Sequence, residues 1–461
     1  MEMPISDDGS AGSPPSGELS PPPKPASPLA PETRPPVKEL ALLLMLAAVQ
    51  FTNIVDFMVI MPLGPQLMRA MSIDTAQFGV VVSAYTFAAG IAGLVASSLV
   101  DRFSRRSAFL TLYAGFLLGT LFCALAPNYP LLVASRIITG AFGGVLGGIA
   151  LTIIGDVFPH ERRGVATSAL MTAFALASVA GVPVGLLLGN AYGWHAPFMA
   201  LVVLGLPVLA VGAITLPPLR DHLGKQHQHP LHTLAETLTH PNHLMAFALI
   251  VSLMIGGFAL IPYISTFLVA NVGMAETSLP WMYVIAGATT LFAAPLSGWM
   301  ADRYGKLRTY RVIAPFSATL MMAITLVPFG FAWLGTLLVA GLMVTNAARM
   351  VAAMAMVTGS VEPRLRGGFM SANSSLQHIA SGIGAFIGGL VISQTSDGRL
   401  QHMELVGLLA AGTTLASLWL AGRLKRADES QHVTVADSIA AAAEANADAG
   451  EPLQAQEAAR S

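Results

Sequence analysis

Charge is what this sequence has least of. Only 11% of its 461 residues are Asp, Glu, Lys or Arg, against roughly 25% in soluble domains. Long stretches carry no charge at all, so they lack the polar outer face that a soluble helix turns to water. The formal net charge is −1, which gives no electrostatic footprint for nucleic-acid binding. A single cysteine, Cys123, excludes an intrachain disulfide and leaves the redox compartment unmarked. The phosphate cradle G-x-x-x-x-G-K-[ST] is missing, and so are H-E-x-x-H and G-x-S-x-G. Direct use of ATP is therefore not expected, nor is an enzyme, a cofactor or a metal centre.

What is present is apolar. Hydrophobic residues make up 54% of the chain, and the mean hydropathy is +0.65. A membrane helix takes roughly 20 mainly apolar residues. Twelve such runs can be marked, at about 40–63, 78–100, 107–126, 130–155, 165–189, 196–216, 243–270, 279–300, 309–328, 332–358, 368–393 and 403–422. The first 38 residues hold eleven prolines and lack the basic-then-apolar layout of a secretory signal. They read as a disordered tail without a cleavable signal. Residues 423–461 read as a second disordered tail, whose VADSIAAAAEANA tract can form a transient helix.

Lysine and arginine set the expected orientation. With both tails inside the cell, 20 of the 24 basic residues fall on the inner side. Only Arg69 and Arg399 fall outside, and Arg136 and Arg349 lie within runs. The expected location is the cytoplasmic (inner) membrane, with multiple passes and both termini cytoplasmic.

The basic clusters also repeat. SSLVDRFSRR (97–106) aligns with GWMADRYGKL (298–307) at an offset of 201 residues, each after the second run of a six-run half. DVFPHERRGV (156–165) matches SVEPRLRGGF (360–369), with Pro159 and Pro363 offset by 204. The expected fold is an all-α membrane protein, with twelve transmembrane helices in two pseudo-symmetric six-helix bundles. The bundles are placed at 39–216 and 243–422, joined by a cytoplasmic loop at 217–242. Duplicated bundles around a central site are a transporter architecture.

With these motifs in view, residues 40–422 resemble the major facilitator superfamily, and within it the drug:proton antiporter and sugar-efflux (arabinose-efflux-like) branch. The resemblance rests on the pattern G-x-L-a-D-R-x-G-R-K, which GWMADRYGKL fits apart from Met300 and Leu307. The first copy keeps Asp101, Arg102, Arg105 and Arg106 but has Ser97 and Ser104 in both glycine places. LVASRIITG matches the family's helix-4 arginine motif through Arg136 and Gly140. AGVPVGLLLG half matches the helix-5 exporter motif, with Val182 standing before Pro183. The resemblance implies that the aspartate–arginine clusters lock a cytoplasmic gate. Asp101 is then expected at the start of helix 11 and Asp302 at the start of helix 5, where the positive end of a helix dipole favours an acid. Arg102, Arg303, Gly305 and Lys306 belong to the same gate. The alternative for the basic members, Arg105 and Lys306 above all, is topology and anionic-lipid contact.

Three full charges lie inside the runs: Asp56, Arg136 and Arg349. An intramembrane charge is costly and functional by default. Asp56 on helix 1 and Arg136 on helix 4 both come out roughly 7–9 Å outside the midplane at 1.5 Å per residue. They can meet, either as a proton switch or as a permanent buried ion pair. Arg349, Asn373, Gln377 and His378 are expected to line the second half of the cavity, with Gln50 and Asn53 opposite on helix 1. Arg349 binds an anionic group or hydrogen-bonds to neighbouring carbonyls. His378 is a second proton site or a packing residue. Gly140, Gly144 and Gly148, four apart on helix 4, and Gly181, Pro183 and Gly185 on helix 5 are assigned to helix packing. The histidines of the central link (His222, His227, His229, His232, His240 and His243) match no ligand motif and read as a solvated loop.

The expectation is a monomeric secondary transporter that exports a small organic solute in exchange for protons, with the bilayer as its other partner. Proton symport or facilitated uptake remains open, as does a non-transporting membrane sensor or scaffold.

Overall fold

The structure is a computed structural model that describes residues 39–99, 102–217, 219, 239–362, 364–425 and 427. The chain folds as α1 (Glu39–Val59), α2 (Gly64–Met71), α3 (Thr75–Leu99), α4 (Arg105–Leu125), α5 (Tyr129–Val157), α6 (His160–Leu176), α7 (Val182–Tyr192) and α8 (Ala196–Thr215). It continues with α9 (Pro241–Ala270), α10 (Leu279–Tyr304), α11 (Lys306–Ile324), α12 (Ala332–Gly359), α13 (Arg366–Val391) and α14 (Met403–Arg423). Every one of the twelve apolar runs falls on helix. Ten helical spans are long and apolar enough to cross a membrane. The other two, α11 and α13, have 19 and 26 residues and pack inside the same assembly. Large apolar side chains such as Phe292, Val165 and Ile214 stand exposed along the helices. In water that surface would be an association hazard, whereas in lipid it is the solvated face.

Three details depart from the simple twelve-run picture. The fifth run is divided: a π turn at Ala177–Gly181 separates α6 from α7, with Pro183 in the first turn of α7. Proline has no N–H to donate, and the π turn changes the hydrogen-bond spacing immediately before it. The short helix α2 follows α1, entered through Pro65. A two-residue antiparallel ladder, Ser393–Gln394 with Leu400–Gln401, joins α13 to α14, so the fold is not wholly helical. The Asn271 side chain both donates to the Leu400 carbonyl and accepts from its N–H, each at 2.8 Å, extending that ladder by one polar rung.

Two hairpins carry the repeated motif, and they explain its uneven glycines. In the second copy one residue, Gly305, turns α10 into α11 at φ +93. Only glycine takes that conformation cheaply. In the first copy residues 102–104 precede α4 outside any α-helix, and Ser104 sits at φ −61 as the N-cap of α4. Its hydroxyl accepts from the Ser107 N–H at 3.2 Å, satisfying an orphan donor that a glycine would leave to water. Asp101 and Pro363 lie outside the described residues, as do the first tail, nearly all of the second and most of the central link.

Helices α1 to α8 form one half and α9 to α14 the other. They meet along α3 against α13, and along α10 against α7 and the π turn. Backbones come close there: a Cβ placed on Gly90 would lie 2.9 Å from the Ser375 carbonyl, and one on Gly287 2.8 Å from the Ser178 carbonyl. The face bearing the two motif hairpins is called the basic face below.

Candidate functional site

The polar centre of the first half is built from three helices. α1 supplies Asp56, α4 supplies Thr120 and α5 supplies Arg136. The Arg136 Nη1 donates to Asp56 Oδ2 at 2.8 Å, with both side chains fully buried. The Thr120 hydroxyl donates to the other carboxylate oxygen at 3.1 Å. On α3, the Tyr85 ring lies under the guanidinium, 4.5 Å from centroid to Cζ. Its hydroxyl donates to Asn53 Oδ1 at 3.1 Å, and the Asn53 amide donates to the Gly143 carbonyl at 3.2 Å. Burial strengthens each of these bonds and makes each missing one costly. Arg136 Nε and Nη2 have no acceptor, so the site is held by one strong ion pair and a ring face rather than by a full set of bonds.

The sequence brings Asp56 and Arg136 to similar depth, and the structure brings them into contact. Tyr85 and Thr120 were not anticipated. Their only sequence signal is polarity inside an apolar run, which many membrane helices share. A ring contact leads outward from this centre: Phe57 lies 5.2 Å from Tyr85 and 5.9 Å from Phe258 on α9. Phe57 thus touches both the ionic centre and the opposite half.

The remaining expected residues are placed as follows. Gln50 is half-buried, with Oε1 enclosed and without a donor. Asn53 is buried within the ionic cluster and does not line open space, because Tyr85 and Gly143 occupy its amide. Asn373 is likewise buried, its amide 3.9 Å from Met354 Sδ on α12. Gln377 and His378 are half-buried. Arg349 is 1% exposed. It donates to Thr414 Oγ1 at 2.5 Å and to Asn346 Oδ1 at 2.9 Å, with neither partner a backbone carbonyl.

Among the glycines, Gly140 and Gly144 have α3 directly against them, and a Cβ on either would collide with Tyr85 or Ala89. Gly148 has nothing within 4 Å, so its assignment to packing does not hold; Gly143, enclosed by Asn53, Tyr85 and Phe116, takes that role. Gly148 is exposed on α5, with no neighbouring helix against it. Gly181 and Gly185 pack on Val55 and Val59 of α1, and Gly189 continues the stripe onto Leu63.

Among the described gate residues, Arg105, Arg106, Arg303 and Lys306 each bond or stack within their own half. Asp302 is exposed and makes no hydrogen bond or ion pair among the described residues, so the expected contact with the start of helix 5 is absent. Arg102 is exposed. Arg303 stacks on Trp299 and Tyr304 of its own helix. Arg105 is 7% exposed and pairs with Asp156 at 3.4 Å, binding α4 to the end of α5. Arg106 caps the Ala213 carbonyl at 2.5 Å, and Lys306 caps the Ala355 carbonyl at 3.0 Å, each within its own half.

The ties between halves lie at the other face. Arg69 of α2 pairs with Glu276, just before α10, at 2.6 Å. Gln66 donates to Asn190, and Asn190 donates to the Glu276 carbonyl at 3.3 Å. The Thr75 hydroxyl donates to the Ile392 carbonyl at 2.6 Å. These three bonds, from Arg69, Asn190 and Thr75, join the halves at this end. The missing Asp302 contact has the same cause: the halves are tied at the face opposite the motif hairpins.

A polytopic helical protein of two halves, tied at one face and holding a charge pair in its interior, has the form of a membrane transport protein. A family model described as Major Facilitator Superfamily matches residues 46–346 and 246–453, and the chain belongs to that family. The two matches begin 200 residues apart, close to the offset of the repeated motif. The "Inner membrane transport protein YdhP" of Escherichia coli K12 is 26% identical over 78% of this chain and 91% of its own length. A "Chloramphenicol resistance protein" of Streptomyces lividans is 26% identical over 57% of this chain and 67% of its own. Among solved structures, a D-xylose-proton symporter superposes with a TM-score of 0.71 at 15% identity, covering 84% of this chain and 98% of that one. The chain is thus a multi-pass integral membrane protein of a family that moves small solutes.

Proposed function

We propose that this protein exports a small organic solute across the cytoplasmic (inner) membrane in exchange for protons, by alternating access. The bundles 39–216 and 243–422 rock as units about the link 217–242, with both termini in the cytoplasm. The proposal belongs to the drug:proton antiporter and sugar-efflux branch, and the named resistance and inner-membrane relatives favour it.

The observation that carries the reading is the Asp56–Arg136 pair. Asp56 is the only acid in the described membrane interior, so coupling through an intramembrane carboxylate falls to it. Paired with Arg136, the carboxylate stays charged; when the pair loosens in low-dielectric surroundings, the protonated form is favoured. Protonation weakens the tie between α1 and α5 while Arg136 stays over Tyr85. Tyr85 abuts Phe57, and Phe57 abuts Phe258, so a change in the pair is felt at the contact between halves. The arrangement of ties supports a cytoplasm-open state, in which Asp302 is disengaged. Closing that side would bring Asp101 and Asp302 onto the helix starts opposite, while Arg69 and Glu276 separate.

Inverted membrane vesicles test this. An inside-acid gradient is expected to drive solute inward, and added solute to dissipate the gradient; Asp56→Asn is expected to abolish both. Solute moving with the proton instead of against it establishes uptake by symport. Full activity in Asp56→Asn removes proton coupling through this site, and no solute movement in any member of a drug and metabolite panel points to a sensor or scaffold.

A further inference from the structure

Arg349 is the buried charge that the proposed proton cycle does not use. It lies on α12, 1% exposed, and among the described residues no carboxylate pairs with it. Its two bonds go to neutral oxygens, on Thr414 of α14 and Asn346 one turn away. The Thr414 hydroxyl in turn donates to the Met321 sulfur, at 3.4 Å. Nε is enclosed and has no acceptor. A guanidinium offers five N–H donors in a fixed fork, so Nε–H and further donors are left for another acceptor. That free edge matches the bidentate geometry of a carboxylate.

Two facts make this more than a packing residue. First, an unpaired charge in a membrane interior is retained at high cost, and such charges mark ligand or ion paths. Secondly, the other two interior charges cancel at 2.8 Å, so Arg349 sets the sign of the field. The described interior carries one acid and two arginines, a formal excess of one positive charge, where salt does not screen. A cationic solute is opposed by that field and an anionic one is drawn in. Asn346 is half-buried and lies 3.9 Å from the Cβ position of Gly257 on α9, which puts it at the seam between α9 and α12.

We propose that the transported solute is an organic anion carrying a carboxylate, and that Arg349 recognises its charge. The inference rests on the transport reading above and names its substrate class. On binding, the solute takes the free Nε edge and replaces Asn346, the partner nearest the seam; Thr414 holds the other side of the guanidinium in place.

The experiment uses the full-length protein in detergent and in proteoliposomes. Probes are aliphatic, aromatic and sugar monocarboxylates, each with its matched amide and amine. Binding is read as a saturable rise in melting temperature by tryptophan fluorescence, and proton movement by a trapped pH dye. At least one acid is expected to bind tenfold or more tightly than its amide, with its amine weaker still. Arg349→Lys is expected to keep the preference for acids at about tenfold lower affinity, and Arg349→Gln to lose it. A panel in which no acid exceeds its own amide overturns the proposal, as does wild-type acid binding by Arg349→Gln. If Arg349→Gln does not fold, the acid-to-amine ratio in wild type and in Arg349→Lys decides. Asp56→Asn separates the two readings: it is expected to retain acid binding and lose proton movement. Proton movement surviving in Asp56→Asn defeats the coupling reading while leaving acid recognition by Arg349 standing.

Discussion

Removing one member of the Asp56–Arg136 pair should not cost the same as removing the other. Asp56→Asn leaves a fully buried guanidinium with no anionic partner among the described residues. Arginine cannot shed its proton, and Nε and Nη2 are already without acceptors. Only the Tyr85 face, at 4.5 Å, remains to stabilise the charge. The expected loss is about 3–5 kcal/mol, the range for breaking a buried pair. Arg136→Gln leaves a carboxylate, which can neutralise itself by taking up a proton. It also keeps the Thr120 bond at 3.1 Å, so the loss should be nearer 1–3 kcal/mol, the cost of unmet hydrogen bonds. In the double variant Asp56→Asn/Arg136→Gln no buried charge is left, and the two neutral side chains can bond to each other. Its destabilisation should therefore fall short of the sum of the single losses by about 1–3 kcal/mol. Reversible unfolding in mixed micelles, followed by tryptophan fluorescence at constant detergent composition, reads all three values. Equal losses for the two single variants, or strict additivity in the double, would refute the picture of a charge pair whose acid alone can become neutral.

Other outcomes follow from the same geometry. The Arg69–Glu276 pair is partly exposed, so its contribution to stability is about 0–1 kcal/mol, and its effect is on the balance of conformations. Cross-linking Arg69→Cys with Glu276→Cys should arrest transport until reduced, and the swap Arg69→Glu/Glu276→Arg should transport better than either single reversal. Gly140→Ala pushes a methyl into the Tyr85 backbone and should cost about 1–3 kcal/mol by overpacking, whereas Gly148→Ala, facing open space, should melt at the wild-type temperature. Gly305→Ala forces a side chain to φ +93 and should cost about 1–3 kcal/mol. Ser104→Gly, losing only a cap, should cost a few tenths of that unit, a contrast visible in thermal melts of the two variants.

The comparison of Ser104 with Gly305 shows how far local reading reaches. A departure from the family pattern is visible in the sequence, yet its harmlessness is not, because it depends on Ser104 being a negative-φ helix cap where Gly305 is a positive-φ turn. Gly148 teaches the converse. Its spacing is as regular as that of Gly140 and Gly144, but spacing says nothing about which glycine has another helix against it. Helical phase marks Asn53 and Asn373 as inward-facing, and only the packed helices show their partners: Tyr85 and Gly143 for the first, Met354 for the second.

The sequence by itself determined that the chain lives in a membrane, where its helical runs lie, that the runs are duplicated, and that three charges sit among them. These are local matters: the cost of placing a polar group in hydrocarbon depends on the group and its depth, and a span must satisfy its own backbone. Tertiary structure alone decided which partners those charges have. Asp56 finds an arginine 80 residues away and the Thr120 hydroxyl on a third helix, while Arg349 finds only neutral oxygens. It also decided which face ties the halves together, since Arg69 and Glu276 gain meaning only when two distant segments meet. Partner choice and conformational state are set by how helices pack, and packing sums many weak contacts between residues far apart in the chain.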